Sequence, residues 1–366
     1  MEVFIMNQSK LTSLQFSCLI IFPILALFSG IGTHNIIKIA EIDSYITVLI
    51  SYVLGLLPLF IFISIFNYKE DLTIIEKVNY LFGKYLGFII NLIINILYLF
   101  IGVILIYNIS NFAISQFLSE TPLLVFMLFF GVVLIYSVSK GIENISRVGI
   151  IFLGIIIFLT IISTTGAVID FETSNIKPIL EHGFNKPMIG GVALTLTNIV
   201  PIFMLLIVPK DKVEHNQKTK KHLIIFYTLG FIFMFLAILL TIGSLGIYLS
   251  DIYQYPEYTV LKKISLFEFI DRIENFIYIK WILSSFICLS LVIYYINHSI
   301  KKNSKKLFPT IITAIIIALS LIIFKNNTIF YTISLNVFPY ICLLLFIIYI
   351  IIGINIMIRK FLLNES

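Results

Sequence analysis

The segment Ser29-Gly30-Ile31-Gly32-Thr33 lies about two thirds of the way along an apolar run from Ser13 to Glu41. Glycine weakens a helix, and a weakened helix inside a membrane frees backbone N–H and C=O groups that need other partners. Small residues also let neighbouring helices approach closely, so this segment alone is compatible with simple packing. It predicts a first span that is interrupted within the membrane.

A second interruption is predicted in the sixth apolar run, Pro187 to Val208. Helix-breaking and hydrogen-bonding residues fall near its middle: Gly190, Gly191, Thr195, Thr197, Asn198 and Pro201. In a chain of ten spans, the first and the sixth are corresponding positions of two five-span halves. Paired discontinuous helices are typical of transporter binding sites, where half-helix N-termini attract a carboxylate and unwound carbonyls hold a cation or ammonium. The matching positions favour binding over packing.

The composition of the chain excludes a soluble protein. Of its 366 residues, 60% are hydrophobic and 12% are charged, and the mean hydropathy is +1.07, whereas an ordinary globular domain has roughly 25% charged residues. The composition therefore predicts an all-α polytopic membrane protein, a single domain over residues 1–366. About ten runs are long enough to cross a bilayer: Ser13 to Glu41, Ser44 to Phe66, Tyr85 to Asn108, Pro122 to Val138, Arg147 to Ile169, Pro187 to Val208, His222 to Leu249, Phe276 to Asn297, Leu307 to Phe324, and Ser334 to Ile358.

The basic residues are distributed unevenly between the two sides of these spans. Of 25 Lys and Arg residues, 17 lie on the side of the N-terminus, seven lie on the other side, and Lys280 falls within a span. Because cytoplasmic loops carry an excess of Lys and Arg, both termini are predicted to be cytoplasmic. The net charge of +6 is thus a topology signal, and we expect no nucleic-acid partner.

The sequence gives no indication of enzymatic chemistry. Its five histidines are scattered, none of the common catalytic or nucleotide-binding motifs occurs, and we expect neither a metal nor a cofactor. Cys18, Cys288 and Cys342 lie in apolar runs and are predicted to be packing residues. No carboxylate falls deep in a predicted span, which argues against a carboxylate proton relay. Lys280, beside Trp281, is expected to extend outward to the membrane interface.

A polar stripe is predicted on the third span. Asn91, Asn95, Tyr98 and Gly102 recur at helical spacing and share one face, which should point into the bundle. The pattern leaves open whether this face contributes to a ligand site or only holds helices together.

The order of several short segments resembles that of the spore germination receptor B-subunit family, the GerAB-like branch of the amino acid/polyamine/organocation superfamily. The segments run over nearly the whole chain: Asp43 to Ile46, Thr73 to Glu76, Leu81 to Gly87, Glu120 to Pro122, Gly141 to Arg147, Lys177 to Gly183, Tyr255-Pro256, and Phe269 to Trp281 with its Lys280-Trp281 pair.

This resemblance implies a leucine-transporter-like fold with two inverted five-helix repeats, about 13–169 and 187–358, whose first and sixth helices are broken. It also implies sensing of a small germinant, often an amino acid, in the inner membrane of a dormant spore, together with an A-type subunit and a lipoprotein C-type subunit. Many members carry an acidic residue after a Phe-Gly pair in the sixth span, where this chain reads Leu196-Thr197-Asn198. The identity of the germinant therefore does not carry over.

Our leading hypothesis is a receptor subunit of the spore germination machinery that binds a small germinant between the first and sixth spans. Gly30, Gly32 and Thr33 would offer backbone groups to this ligand, while Thr195, Thr197 and Asn198 would contact it and Tyr98 would gate or stack on it. The alternatives are an amino acid permease and a structural membrane scaffold.

Overall fold

The computed structural model describes residues 10–181, 183–214, 216–262, 273–300 and 307–363. Parts of the sequence predictions lie outside these residues, namely Phe269 to Arg272 and His182 of the family resemblance and several lysines of the charge count. Within the described part the chain is almost entirely helical. The helices are α1 (Ser13–Cys18), α2 (Ile21–Leu27), α3 (Thr33–Ala40), α4 (Ser44–Phe66), α5 (Ile74–Gln116), α6 (Leu123–Ser139), α7 (Ile142–Ala167), α8 (Asn185–Leu194), α9 (Thr219–Ile252), α10 (Pro256–Lys262), α11 (Asn275–Ile300), α12 (Leu307–Ile323), α13 (Asn327–Asn336) and α14 (Phe338–Leu363).

The predicted all-α membrane fold is confirmed. Among the described residues, seven helical stretches are long and apolar enough to cross a membrane, and the first of these, Ser13–Phe66, is 54 residues long and contains the first two predicted spans. The shorter apolar helices α6 and α12 occupy the fourth and ninth predicted spans. The last predicted span differs, because the chain is interrupted at Val337 between α13 and α14.

A sharp turn at Gly83 sets the start of the third span. Gly83 has φ +78° and ψ 170°, a backbone conformation that is essentially restricted to glycine. The Asn91 side-chain amide donates to the Ile75 carbonyl, so the first part of α5 folds back along the part after Gly83. The prediction that the span begins at Tyr85 agrees with this turn.

Helix α11 lies at the centre of the bundle, where it packs against α2, α5 and α7, while α4 packs against α8 and α9. At the side of the N-terminus, strand β1 (Leu11–Thr12) pairs in parallel with β2 (Val213–Glu214). The three free cysteines are buried, as predicted for packing residues.

Three ion pairs connect residues that the charge count assigns to the same side of the membrane. Lys38 pairs with Asp251 at 2.7 Å, Lys186 pairs with Glu41 at 2.6 Å, and Lys210 pairs with Glu70. These contacts agree with the alternation of loops that the ten-span prediction requires.

Three of the four residues in the polar stripe of the third span face other helices, as predicted, whereas Asn91 bonds within α5. Asn95 donates to Ser299 Oγ at 2.7 Å, the Tyr98 hydroxyl lies 3.2 Å from that of Tyr349, and Gly102 lies against Val292. Each of these contacts joins α5 to another helix, which is what the packing interpretation of the stripe predicts.

Replacing Lys77 with Met is expected to destabilise the C-terminal end of α4. The Lys77 side chain is 1% exposed, and its ammonium donates to the last carbonyls of α4, Ile65 O at 2.9 Å and Phe66 O at 3.4 Å. Loss of these bonds should cost about 1–2 kcal/mol, because the last carbonyls of α4 lose a buried donor. Thermal unfolding of the purified chain measures the effect. The exposed Lys84→Met is the control, and an equal melting temperature for both variants would contradict this role.

Candidate functional site

The first span is broken at Ser29 and Gly30. A π-helical turn, Phe28–Gly32, joins α2 to α3, and inside it Ser29 has extended backbone angles (φ −63°, ψ 134°) while Gly30 has φ +71° and ψ −89°. Only glycine adopts the latter conformation without strain. The predicted interruption is therefore confirmed, and it explains the presence of Gly30 at this position.

The backbone groups at this break are bonded to side chains, two of which belong to distant elements. The Gly30 N–H donates to Glu257 Oε1 of α10 at 2.7 Å, and the Ser29 carbonyl accepts a bond from Asn108 Nδ2 of α5 at 3.1 Å. Thr33 Oγ1 donates to the Phe28 carbonyl at 3.1 Å. These side chains thus satisfy the hydrogen bonds of the backbone groups at the break, as a buried backbone requires.

The sixth span is irregular at the predicted place. Helix α8 continues as a π-helical segment, Thr195–Ile199, and then as a 3₁₀ segment, Val200–Ile207. The fully buried Asn198 accepts a bond from the Thr197 hydroxyl at 2.9 Å and donates from Nδ2 to the Ile24 carbonyl of α2 at 2.9 Å. The two irregular spans are therefore joined directly.

A cavity of about 100 Å³ lies beside the first break. Its walls come from α2 and the turn after it, and from α7, α9, α10 and α11; apolar side chains such as Leu25, Phe233 and Val260 form most of them. The polar lining residues are Ser29, Thr160, Ser163, Thr164, Thr241, Glu257, Lys280 and Ser284. A largely apolar pocket with a few convergent polar groups is the usual form of a small-molecule site.

Two groups of opposite charge line this cavity. Glu257 is 8% exposed, and while its Oε1 accepts the bond from Gly30, its Oε2 has no hydrogen-bond partner within the described part of the chain. Burial raises the pKa of the Glu257 carboxyl to about 7, and the bond from Gly30 opposes part of this rise. Lys280 Nζ donates to Ser163 Oγ of α7 at 2.7 Å.

Comparison with known proteins agrees with this architecture. The family profile described as "Spore germination protein" matches residues 10–329. The chain belongs to the spore germination protein family. Curated relatives include spore germination protein KB of Bacillus subtilis (strain 168), 24% identical over 69% of this chain and 68% of its own length, and protein XB of Bacillus anthracis, 22% identical over 67% and 68%. Protein YndE of B. subtilis is 24% identical over 72% of each chain.

In this member of the spore germination protein family, six of the seven residues predicted to bind the ligand lie at the two irregular segments. Gly30, Gly32 and Thr33 belong to the first break, and Thr195, Thr197 and Asn198 belong to the π-helical segment of the sixth span. Gly32 and Thr197 line a second, smaller cavity of about 20 Å³ between the two spans, and Thr195 Oγ1 lies 2.9 Å from Ser51 Oγ of α4. Tyr98 lies apart from both cavities, against Tyr295 and Tyr349.

One expectation about charged residues is wrong. Lys280 does not extend outward to the interface, because its ammonium turns into the cavity and is held there by Ser163. Glu257 lies outside every predicted span, in α10, but the structure buries its carboxylate against the broken first span.

Sequence signals for these two groups exist but are weak. Glu257 is the only charged residue between Tyr255 and Leu261, where Pro256 opens a short helix, and an isolated acid in an apolar helix indicates a buried partner. Lys280 and Ser284 are four residues apart and share one face of α11. No group of three or more potential metal ligands occurs within the described residues.

Proposed function

We propose that this chain is the membrane subunit of a nutrient receptor in spore germination, which binds a small germinant and passes a conformational change to partner subunits. Family membership and the relatives named spore germination proteins support the biological role. The observation that carries the binding function is the contact between Glu257 and Gly30, because it places an incompletely bonded carboxylate between a broken helix and a cavity. A-type and lipoprotein C-type subunits would receive the signal, and the spore inner membrane would be its location, with both termini in the cytoplasm.

The broken first span provides the element that can adopt two arrangements. A ligand shifts such an equilibrium only by the difference between its affinities for the two states. The cavity is lined by the same elements that hold the break, α10 and α11 among them. A ligand there would favour the arrangement of the first span in which it makes more contacts.

Ligand binding can be tested directly on the purified full chain. Single nutrients from several classes (amino acids, sugars and nucleosides) are added at millimolar concentration, and thermal unfolding is followed. A stabilising ligand raises the melting temperature in a concentration-dependent manner. At least one class is expected to do so. Failure of every nutrient tested would favour a structural scaffold and contradict a receptor function.

The germinant contacts proposed from the sequence remain part of this proposal: Gly30, Gly32, Thr33, Thr195, Thr197, Asn198 and Tyr98. One of them, Asn198, allows a test in spores. Asn198→Ala removes the bonds to Thr197 and Ile24, so it should shift the germinant concentration response several-fold while the protein still inserts into the membrane. Germination is measured by loss of optical density, with immunoblotting for protein level. An unchanged response would remove Asn198 from the site.

The second candidate function is an amino acid permease, and one observation favours it. Proton-coupled transport needs a titratable group that is buried along the substrate path, and Glu257 is a buried carboxylate beside the cavity. Uptake of radiolabelled amino acids into proteoliposomes separates the two functions. Net flux that depends on Glu257 would establish transport, whereas binding without flux would support the receptor.

A further inference from the structure

The turn between α4 and α5 brings positive charges together with two aromatic rings. Lys69 Nζ lies 4.3 Å from the centroid of the Tyr80 ring and 6.0 Å from that of the Tyr68 ring. The end of α14 adds two more cations, since the Arg359 guanidinium carbon lies 5.1 Å from the Tyr80 centroid and Lys360 Nζ lies 5.9 Å from the Tyr68 centroid. Lys69, Arg359 and Lys360 therefore form one basic cluster, although they come from distant parts of the sequence.

The charge of the basic cluster is not neutralised within the described part of the chain. Among the described residues, no ion pair within 4.0 Å involves any of its three members. Glu70, which follows Lys69 in the sequence, pairs with Lys210 instead. Arg359 donates from Nη2 to the Leu81 carbonyl at 3.3 Å, and the tyrosine rings attract cations but carry no net charge. These contacts hold the cations in place and leave their combined positive charge available to an anion.

The basic cluster lies at the end of an exposed apolar surface on α14. Along this helix, exposed isoleucines recur at helical spacing: Ile347, Ile351, Ile354 and Ile358. A continuous apolar row of this kind on a membrane-spanning helix is suited to contact with acyl chains. Arg359 and Lys360 follow directly, and basic and tyrosine side chains are typical of the level at which a helix leaves the hydrocarbon region. The cluster is therefore placed at the level of the lipid headgroups.

An open groove of about 730 Å³ adjoins the basic cluster at the end of α14. Its lining residues are Met357, Ile358, Lys360, Phe361 and Leu362. Phe361 and Leu362 are 86% and 70% exposed, although they lie beyond the basic pair. Apolar surface of this extent is costly to leave in water. Because Lys360 belongs to both the cluster and the groove, one occupant can contact cations and apolar side chains together.

This combination of features restricts what the occupant can be. A free phosphate ester would satisfy the cations but leave the apolar groove uncovered. A zwitterionic phospholipid would cover the groove, but its own ammonium would be repelled by the three cations. A phospholipid whose headgroup has a net negative charge satisfies both parts of the site.

We propose that the basic cluster and the groove together bind an anionic phospholipid, with its phosphate at Lys69, Arg359 and Lys360 and an acyl chain along Met357 and Ile358. Basic pockets between spanning helices are a known form of headgroup site. The groove shares no described lining residue with the cavity beside the first break, and the inference does not depend on the proposed receptor function. The bound lipid would connect the α4–α5 turn to the last helix.

The test uses the purified, delipidated full chain in detergent and three probes. Dioleoylphosphatidylglycerol is the anionic lipid, dioleoylphosphatidylcholine has the same acyl chains on a zwitterionic headgroup, and glycerophosphoglycerol is the anionic headgroup without chains. Native mass spectrometry resolves the first bound molecule of each. Phosphatidylglycerol is expected to bind about tenfold more tightly than either of the other probes. Its affinity should fall as the salt concentration rises, because exposed charges are screened.

Matched variants separate this site from general attraction to a positive surface. Lys69→Gln/Arg359→Gln/Lys360→Gln should weaken phosphatidylglycerol binding about tenfold, to the affinity for phosphatidylcholine. The control Lys140→Gln/Lys220→Gln/Lys221→Gln removes three exposed cations that the charge count assigns to the same side of the membrane, and it should leave the affinity unchanged. Lys69→Arg/Lys360→Arg keeps the charges and should retain binding.

Three results would overturn the lipid site. Equal affinity for the two phospholipids would exclude recognition of the headgroup charge, and tight binding of glycerophosphoglycerol would identify a free phosphate ester as the ligand. An equal loss of affinity in the two triple variants would show that net charge alone attracts the lipid. If the first triple variant fails to fold, the ranking of the three probes on the native chain and the exposed single variant Lys360→Gln, which should weaken phosphatidylglycerol binding several-fold, decide the question.

Discussion

Gly30→Ala is expected to leave little functional protein in the membrane. A Cβ atom built on Gly30 would lie 2.6 Å from Trp281 Cζ2 and closer still to Cη2, so it cannot be placed without moving the indole. The indole is itself packed against Phe112 and Tyr255 and has little freedom to retreat. The φ of +71° adds backbone strain for any residue with a side chain.

The expected cost follows from these two effects. Backbone strain at a glycine-specific position costs about 1–3 kcal/mol, and forcing an extra carbon into a packed core costs about 1–3 kcal/mol more. Together they approach the total stability of many proteins, which is about 5–15 kcal/mol. We expect a strongly lowered yield of folded protein, a lowered melting temperature in detergent, and a weakened germination response in spores that depend on this chain.

Substitutions at two other glycines separate the contribution of backbone strain from that of overpacking. Gly83→Ala introduces strain at φ +78° with no atom within 4 Å of the new Cβ, and Gly154→Ala adds a Cβ in open space on α7. Gly154→Ala should have the highest melting temperature, Gly83→Ala a lower one, and Gly30→Ala the lowest. The smaller, acyclic side chain in Gly30→Ala/Trp281→Leu should recover part of the loss. A Gly30→Ala protein as stable as Gly154→Ala would contradict the structure of the break.

The span pattern and both interruptions could be predicted because they depend on local properties. Apolar runs of about 20 residues identify spans, and glycine or proline within such a run weakens the helix regardless of what surrounds it. Gly30 in the first span, and Gly190, Gly191 and Pro201 in the sixth, make the two interruptions recognisable for this reason. The turn at Gly83 and the division at Val337 depend on packing against other helices, so the third and last helices differ in extent from their predicted spans.

The charged groups of the cavity could not be predicted because they are distant in the sequence. Glu257 reaches a residue 227 positions earlier, and Lys280 bonds to a residue 117 positions earlier. Hydropathy assigns Glu257 to a loop and Lys280 to an interface, because it depends only on residues that are adjacent in the sequence. The same limit applies to Asn198, which was predicted as a ligand contact and is found bonded to Ile24 of the first span.

Asn108→Leu is expected to be the most disruptive polar substitution in the third span. Asn108 is 1% exposed, and its Nδ2 is the donor that satisfies the Ser29 carbonyl at 3.1 Å. Leucine has nearly the same size but no donor, so that carbonyl would be left unpaired where water does not reach. An unsatisfied backbone group inside a membrane costs on the order of 3 kcal/mol, and the first span should respond by changing its geometry at the break.

The matched control for this substitution is Ser110→Ala, two residues away on α5. Ser110 is fully buried, and its hydroxyl has no hydrogen-bond partner among the described residues, so its removal should be neutral or slightly stabilising. Thermal unfolding is measured for both variants. Asn108→Leu should lower the melting temperature, because the break has lost one of the side chains that bond its backbone. Equal behaviour of the two variants would show that the break holds its geometry without Asn108.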